Sequence, residues 1–138
     1  MRNPYALPLR LRRDRLGELR QAIAETHERL AAALAEDAAL VSQTSSERRL
    51  RSLAPDLTGD PWFAWQRQTR HRFACDIAVS QQRLEELRVD MRDELGQISA
   101  LEQAEQRLLA EARRKVERRA QAAADDRAAT LCLAGTTI

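Results

Sequence analysis

Five aromatic residues, four glycines, four prolines and two cysteines are spread over a chain of 138 residues. Each scarcity excludes something. Aromatics at 4% and charged residues at 32% leave too little bulky apolar material for an ordinary round core. So few glycines and prolines cannot supply the turns of a many-stranded β fold. Cys75 and Cys132 make neither a disulfide framework nor a metal-spacing motif, and read as free reduced thiols. The chain has no Gly-rich phosphate loop and no cluster of metal ligands. No run approaches the 18 apolar residues of a membrane span. The stretch from Leu7 to Leu11 is broken by Pro8 and Arg10, too short for a signal peptide. The reading is a cytosolic protein without membrane insertion.

What the chain does contain is Ala, Leu, Arg, Glu and Gln, the composition of long helices and coiled coils. The expected fold is all-α, a long two-helix antiparallel coiled-coil hairpin forming one domain over 1–138. Its first helix covers 8–51, opening at Pro8, whose missing N–H costs nothing in a first turn. A linker over 52–60 holds Pro55 and Gly59. The second, longer helix covers 61–130, opening at Asp60-Pro61, and a flexible tail covers 131–138. In the first helix, Leu16, Leu19, Ile23, Leu30, Leu34, Ala38 and Val41 recur at three- and four-residue spacing, one helical face. In the second, Ile77, Leu84, Met91 and Ile98 fall seven apart, with Ser80, Leu87, Glu94, Leu101 and Leu108 three residues later. A seven-residue repeat implies a left-handed supercoil with a partner helix. Ile23, Leu30, Ile77, Leu84, Leu87, Met91, Ile98 and Leu101 are therefore expected to line the seam. A bend near Asp56 sets Leu30 against the region of Leu84 and Leu16 against that of Ile98. It leaves the second helix without a partner in the chain from Gln103 onward, where the apolar pattern drifts to Ala112, Val116, Ala120 and Ala123.

The formal charge of +2 conceals three basic clusters. Residues 1–20 carry six Arg against Asp14 and Glu18. Residues 61–75 carry Arg67, Arg70 and Arg72 with no acid. Residues 113–119 carry Arg113, Arg114, Lys115, Arg118 and Arg119 against Glu117. The first and last clusters, with Arg12, Arg13, Arg113, Arg114 and Arg118, are expected to meet at the open end of the hairpin. There they are either a solvated face or a docking surface for an acidic partner. The acidic charge of the intervening segments and the lack of a reading motif argue against nucleic acid.

Trp62-Phe63-Ala64-Trp65 holds three of the five aromatics, followed by Arg67 and Arg70. Either these rings cover the bend or they form a partner-binding patch, Trp and Arg being common interface anchors. The expectation is mixed, with Trp65 partly buried and Trp62 or Phe63 presented. His27 and His71 stand on different helices, out of step by roughly 20 Å at 1.5 Å per residue, too far to share a proton or metal. Acidic pairs such as Glu85-Glu86 are ordinary on a solvated helix face. The chain reads as a non-enzyme with no catalytic residue, metal, cofactor or small-molecule substrate.

These features resemble the FliJ/YscO group of flagellar and virulence type III export proteins. The residues that carry the likeness are the opening Leu9-Arg-Leu-Arg-Arg-Asp-Arg-Leu16 and the aromatic–x–x–aromatic–Gln pattern of Trp62-Phe63-Ala64-Trp65-Gln66. Phe73, Ile77, Gln81 and Leu84, and the Arg-rich stretch at 113–119, add to it. Thr69 and Arg72 depart from it, standing where the family tends to be apolar. The resemblance implies a stalk inside the export ATPase ring, contacting the export gate at the cytoplasmic membrane. Export chaperones are a further implied partner. The alternative is a generic coiled-coil adaptor or a homodimeric scaffold outside secretion.

Overall fold

A computed structural model describes residues 2–53 and 60–136. Among them are two helices and no strand: α1, Ala6–Leu53, and α2, Asp60–Gly135. The two pack against each other, and α2 is the longer, with 76 residues to 48. By its contacts the chain divides into two compact units, Met1–Arg13 with Gly96–Ile138, and Asp14–Leu95.

Both helices begin earlier than the residue pattern suggests. The Asn3 side-chain oxygen accepts the backbone N–H of Tyr5 at 3.0 Å, and Leu9 N–H reaches the Tyr5 carbonyl at 3.0 Å. Asn3 followed by Pro4 is thus the start signal of α1, and Pro8 lies inside its opening turns. Pro61 occupies the first turn of α2 in the same way. Of the linker expected over 52–60, Ser52 and Leu53 are helical and residues 54–59 lie outside the described residues. The segment expected as a tail from 131 is helical through Gly135. There the Thr136 hydroxyl donates to the Leu133 and Cys132 carbonyls at 2.9 and 3.1 Å, satisfying groups that a helix end leaves open.

In each helix the residues removed from solvent alternate spacings of three and four. On α1 they are Leu9, Arg12, Leu16, Leu19, Ile23, Thr26, Leu30, Ala33, Asp37, Leu40 and Thr44. On α2 the run passes through Gln66, Phe73, Ile77, Ser80, Leu84, Leu87, Met91, Glu94, Ile98, Leu101, Glu105, Leu108 and Ala112. Leu84, Leu87 and Ile98 are buried, while Ile23, Leu30, Ile77, Met91 and Leu101 are half-buried.

One part of the α1 reading is corrected. Leu34 and Val41 are 49% and 40% exposed and Ala38 is exposed, while Ala33, Asp37 and Leu40 occupy the seam. The cause is the period. Four-residue steps from Leu30 follow the conspicuous side chains, whereas a seam of average period 3.5 takes a three-residue step there. The polar residues admitted to the seam are partly self-satisfied. The Thr26 hydroxyl donates to the Ala22 carbonyl at 2.7 Å and that of Thr44 to Leu40 at 2.8 Å, so neither needs a partner across the interface.

Leu84→Ala or Leu87→Ala lowers stability by roughly 2–3 kcal/mol, the lower part of the range for large-to-small core changes. Leu34→Ala stays within about 0.5 kcal/mol, as surface changes do. Thermal melts followed by circular dichroism check both. A Cβ at Gly17 or Gly96 would meet no atom within 4 Å. Each Gly→Ala change therefore stabilises by up to about 1 kcal/mol through helix propensity alone. The same melts would read an unchanged or lowered midpoint as contradicting this.

Candidate functional site

Two surfaces collect the candidate residues, one in each unit. In the unit Asp14–Leu95, the end of α1 and the start of α2 enclose an open groove of about 540 Å³ lined by Arg48, Arg51, Ser52, Phe63, Gln66 and Arg67. Its organisation follows from one buried amide. Gln66 is 6% exposed and takes the first seam position of α2, which fixes the rotation of that helix. Phe63, one turn earlier, is then half-buried on the groove side, and the Arg51 guanidinium lies over its ring at 5.5 Å. Trp62 packs edge-to-face on Phe63, with centroids 5.2 Å apart and planes at 86°, the arrangement that ring quadrupoles favour. Trp65 lies 6.3 Å from Trp62, tilted by 48°.

The expected division of the aromatics is reversed. Trp65 is 52% exposed, whereas Trp62 and Phe63 are half-buried. The reason is again the seam. With Gln66 inward, position 65 points away from α1, while 62 and 63 lie one turn before it and lean back over the groove.

Arg67 and Arg70 behave differently. Arg67 is exposed on the groove wall. Arg70 donates through Nε to Asp37 Oδ1 at 3.1 Å, closing an ion pair against a half-buried carboxylate. A second cavity of about 630 Å³ continues the groove along Arg70, His71, Ala74, Ile77, Ala78 and Gln81. Sequence reading missed the contribution of α1, namely Arg48 and Arg51. Their charge is hidden when residues 21–60 are summed as one acidic segment, although a run of three Arg within 48–51 is visible in the sequence.

The second surface, in the unit of Met1–Arg13 and Gly96–Ile138, is not the convergence the sequence suggests. Arg13 Nη2 donates to Glu102 Oε1 at 3.0 Å, and the Asn3 amide donates to Glu105. Arg12 is half-buried on the seam side of α1. Acidic residues on α2 thus hold the start of α1 against Glu102 and Glu105. Arg113 lies roughly 16 Å further along α2 from Glu102, at 1.5 Å per residue. Of the five residues expected together, Arg113, Arg114 and Arg118 share an exposed surface, and Arg12 and Arg13 belong to the packed one. From Arg113 to Thr136 every residue is exposed although the helix continues to Gly135. Val116, on the stretch expected to lack a partner within the chain, is 65% exposed. Beside it, Leu109, Ala112, Arg113, Val116 and Glu117 line a shallow apolar groove.

Among the described residues no group of three or more His, Cys, Asp or Glu could hold a metal ion, and no helix is long and apolar enough to cross a membrane. His71 Nε2 lies 3.8 Å from Cys75 Sγ, both exposed, one turn apart on α2. His27 is also exposed.

The fluorescence of the two tryptophans separates the rings. A Trp62→Phe variant, emitting from Trp65 alone, is quenched by acrylamide more steeply than Trp65→Phe, which emits from Trp62 alone. Equal quenching of the two variants would contradict the reversed arrangement. No family model matches the chain, and no curated protein or solved structure matches it either.

Proposed function

We propose that the chain is a non-enzymatic coiled-coil stalk of a bacterial flagellar or type III protein-export apparatus, linking the export ATPase ring to the export gate. In this reading it works in the cytoplasm, peripheral to the inner membrane through its partners, and takes no cofactor. The proposal includes an antiparallel coiled coil. Supporting that, within Asp14–Leu95 Asp37 pairs with Arg70 while the later Arg51 meets the earlier Phe63. In the other unit Asn3 pairs with Glu105 while the later Arg13 meets the earlier Glu102. Alternating three- and four-residue burial on both helices is the pattern of knobs-into-holes packing.

The observation that carries the functional reading is the exposed helical stretch 113–136, which begins with five basic residues against Glu117. A helix that outruns its packing partner and bears cations on free turns is suited to entering a surface lined with acidic or polar loops. The aromatic–cationic groove of Phe63, Arg51 and Arg67 supplies a second, chemically different contact for the gate or an export chaperone. The likeness of Trp62-Phe63-Ala64-Trp65-Gln66 to the family's opening falls on that groove.

Replacing Arg113 and Arg118 together by Glu weakens binding to the export ATPase about tenfold or more, each tenfold being 1.4 kcal/mol. Helicity stays intact, since neither residue touches the seam. Binding measured by interferometry against the purified ATPase, with circular dichroism as the control, tests this. Unchanged affinity would remove the basic stretch from the docking surface.

A further inference from the structure

Beyond the stalk reading, and independent of it, we infer that the α2 segment Leu109–Leu131 is a self-association surface, occupied by the same segment of a second copy of this chain running antiparallel. The first ground is the exposure. Arg113 to Thr136 is exposed at every residue, yet it is helical through Gly135. A helix of this length has little stability on its own, most helical stability in proteins coming from tertiary packing of one face. Leu109, Ala112, Val116, Ala120, Ala124 and Leu131 share such a face, at spacings of three, four, four, four and seven. Its large members are unburied, with Leu109, Val116 and Leu131 exposed at 48%, 65% and 73%. The small side chains between them allow a partner backbone to approach closely.

The second ground selects the occupant and its direction. Charge is ordered along the segment, with the basic block at 113–119 and the acids at Asp125 and Asp126. A parallel copy would lay the basic block against itself. An antiparallel copy with its midpoint near Ala122 sets Arg119 of each chain beside Asp126 of the other, and Glu117 beside Arg127. The flanks agree. Arg119 and Asp126, seven residues apart, stand on one side of the apolar face, Glu117 stands on the other, and Arg127 shares the face itself. Antiparallel pairing brings like flanks of the two copies together, so both ion-pair sets form twice across the two-fold axis. The Leu109–Ala112–Val116 groove is bordered by Arg113 and Glu117, and receives the Ala128–Leu131 turn of the second copy. Pairing covers Arg113, one of the cations that the stalk reading assigns to the ATPase, so the paired state and the docked state compete for it.

Sedimentation equilibrium of the full chain over a range of concentrations tests the inference without any other protein. The expected mass rises from 15.7 kDa toward twice that value. Val116→Glu, which places a charge in the shared face without touching the seam, weakens association by about tenfold or more. Arg119→Glu with Glu117→Arg weakens it likewise, and adding Asp126→Arg with Arg127→Glu to the same chain restores it. A chain that stays monomeric at every concentration overturns the inference, as does a dimer indifferent to Val116→Glu. A charge-reversed chain that the second pair of changes fails to rescue overturns the antiparallel register.

Discussion

The seven-residue period of the seam governs what every other side chain is free to do. Packing two helices along a stripe of average period 3.5 buries one position in every three or four and no more. Leu9, Leu19, Leu40, Leu84 and Leu87 are the deepest of these. Burial confined to one position in every three or four leaves most of the described residues in solvent. It also makes each seam position costly to change and each off-seam position cheap. The ion pairs that flank it, Arg13–Glu102 and Arg70–Asp37, are half-exposed and add little energy, on the order of 0–1 kcal/mol each. Their value is in register, since each ties one named turn of α1 to one named turn of α2.

Where the seam stops, a different balance takes over. After Ala112 no side chain of α2 is removed from solvent. The helix persists on local terms alone: Ala, Arg, Glu and Gln have high helix propensity, and pairs one turn apart add a few tenths of a kcal/mol each. Gln121 donating to Asp125 at 2.9 Å is such a pair. The Thr130 hydroxyl, returning to the Asp126 carbonyl at 2.8 Å, is a weaker device that competes with the helix as much as it supports it. A segment held this way presents its apolar side chains and its charges together to solvent.

How much of this could be read from residues alone follows from the same period. The α2 seam was legible because Ile77, Leu84, Met91 and Ile98 are large, apolar and seven apart, and so stand out against an Ala- and Arg-rich background. The α1 seam was legible only as far as Leu30. Beyond it the seam positions are Ala33, Asp37, Leu40 and Thr44, while the conspicuous Leu34 and Val41 stand one step away and face solvent. Composition cannot resolve a one-residue step when the seam residue is polar and its neighbour apolar. The start of α1 was misplaced for a related reason. Pro8 is the more familiar signal, but the Asn3 side chain caps the backbone earlier. At the candidate surfaces, the aromatic cluster was legible as a place but not as an arrangement. Which ring faces solvent depends on Gln66 being inward, and a glutamine is the last residue one would choose for that position.

The two candidate surfaces obey different physics, and that difference bears on what each can do. The groove beside Phe63 combines half-buried rings, a guanidinium stacked on one of them and a buried amide. A partner seated there gains from desolvated anchors, so its affinity rests mainly on the rate of leaving and resists salt. The basic stretch from Arg113 has no such anchor beyond the shallow line of Leu109 and Val116. Its cations sit in high dielectric, where attraction over a Debye length of about 8 Å speeds encounter more than it holds a complex. A contact through Arg113, Arg114 and Arg118 is therefore quick to form, sensitive to ionic strength and easily exchanged. One surface is built to hold, the other to engage and release. On the proposed stalk reading, keeping one partner while meeting another repeatedly would draw on that difference, which arises from where burial along α2 ends at Ala112.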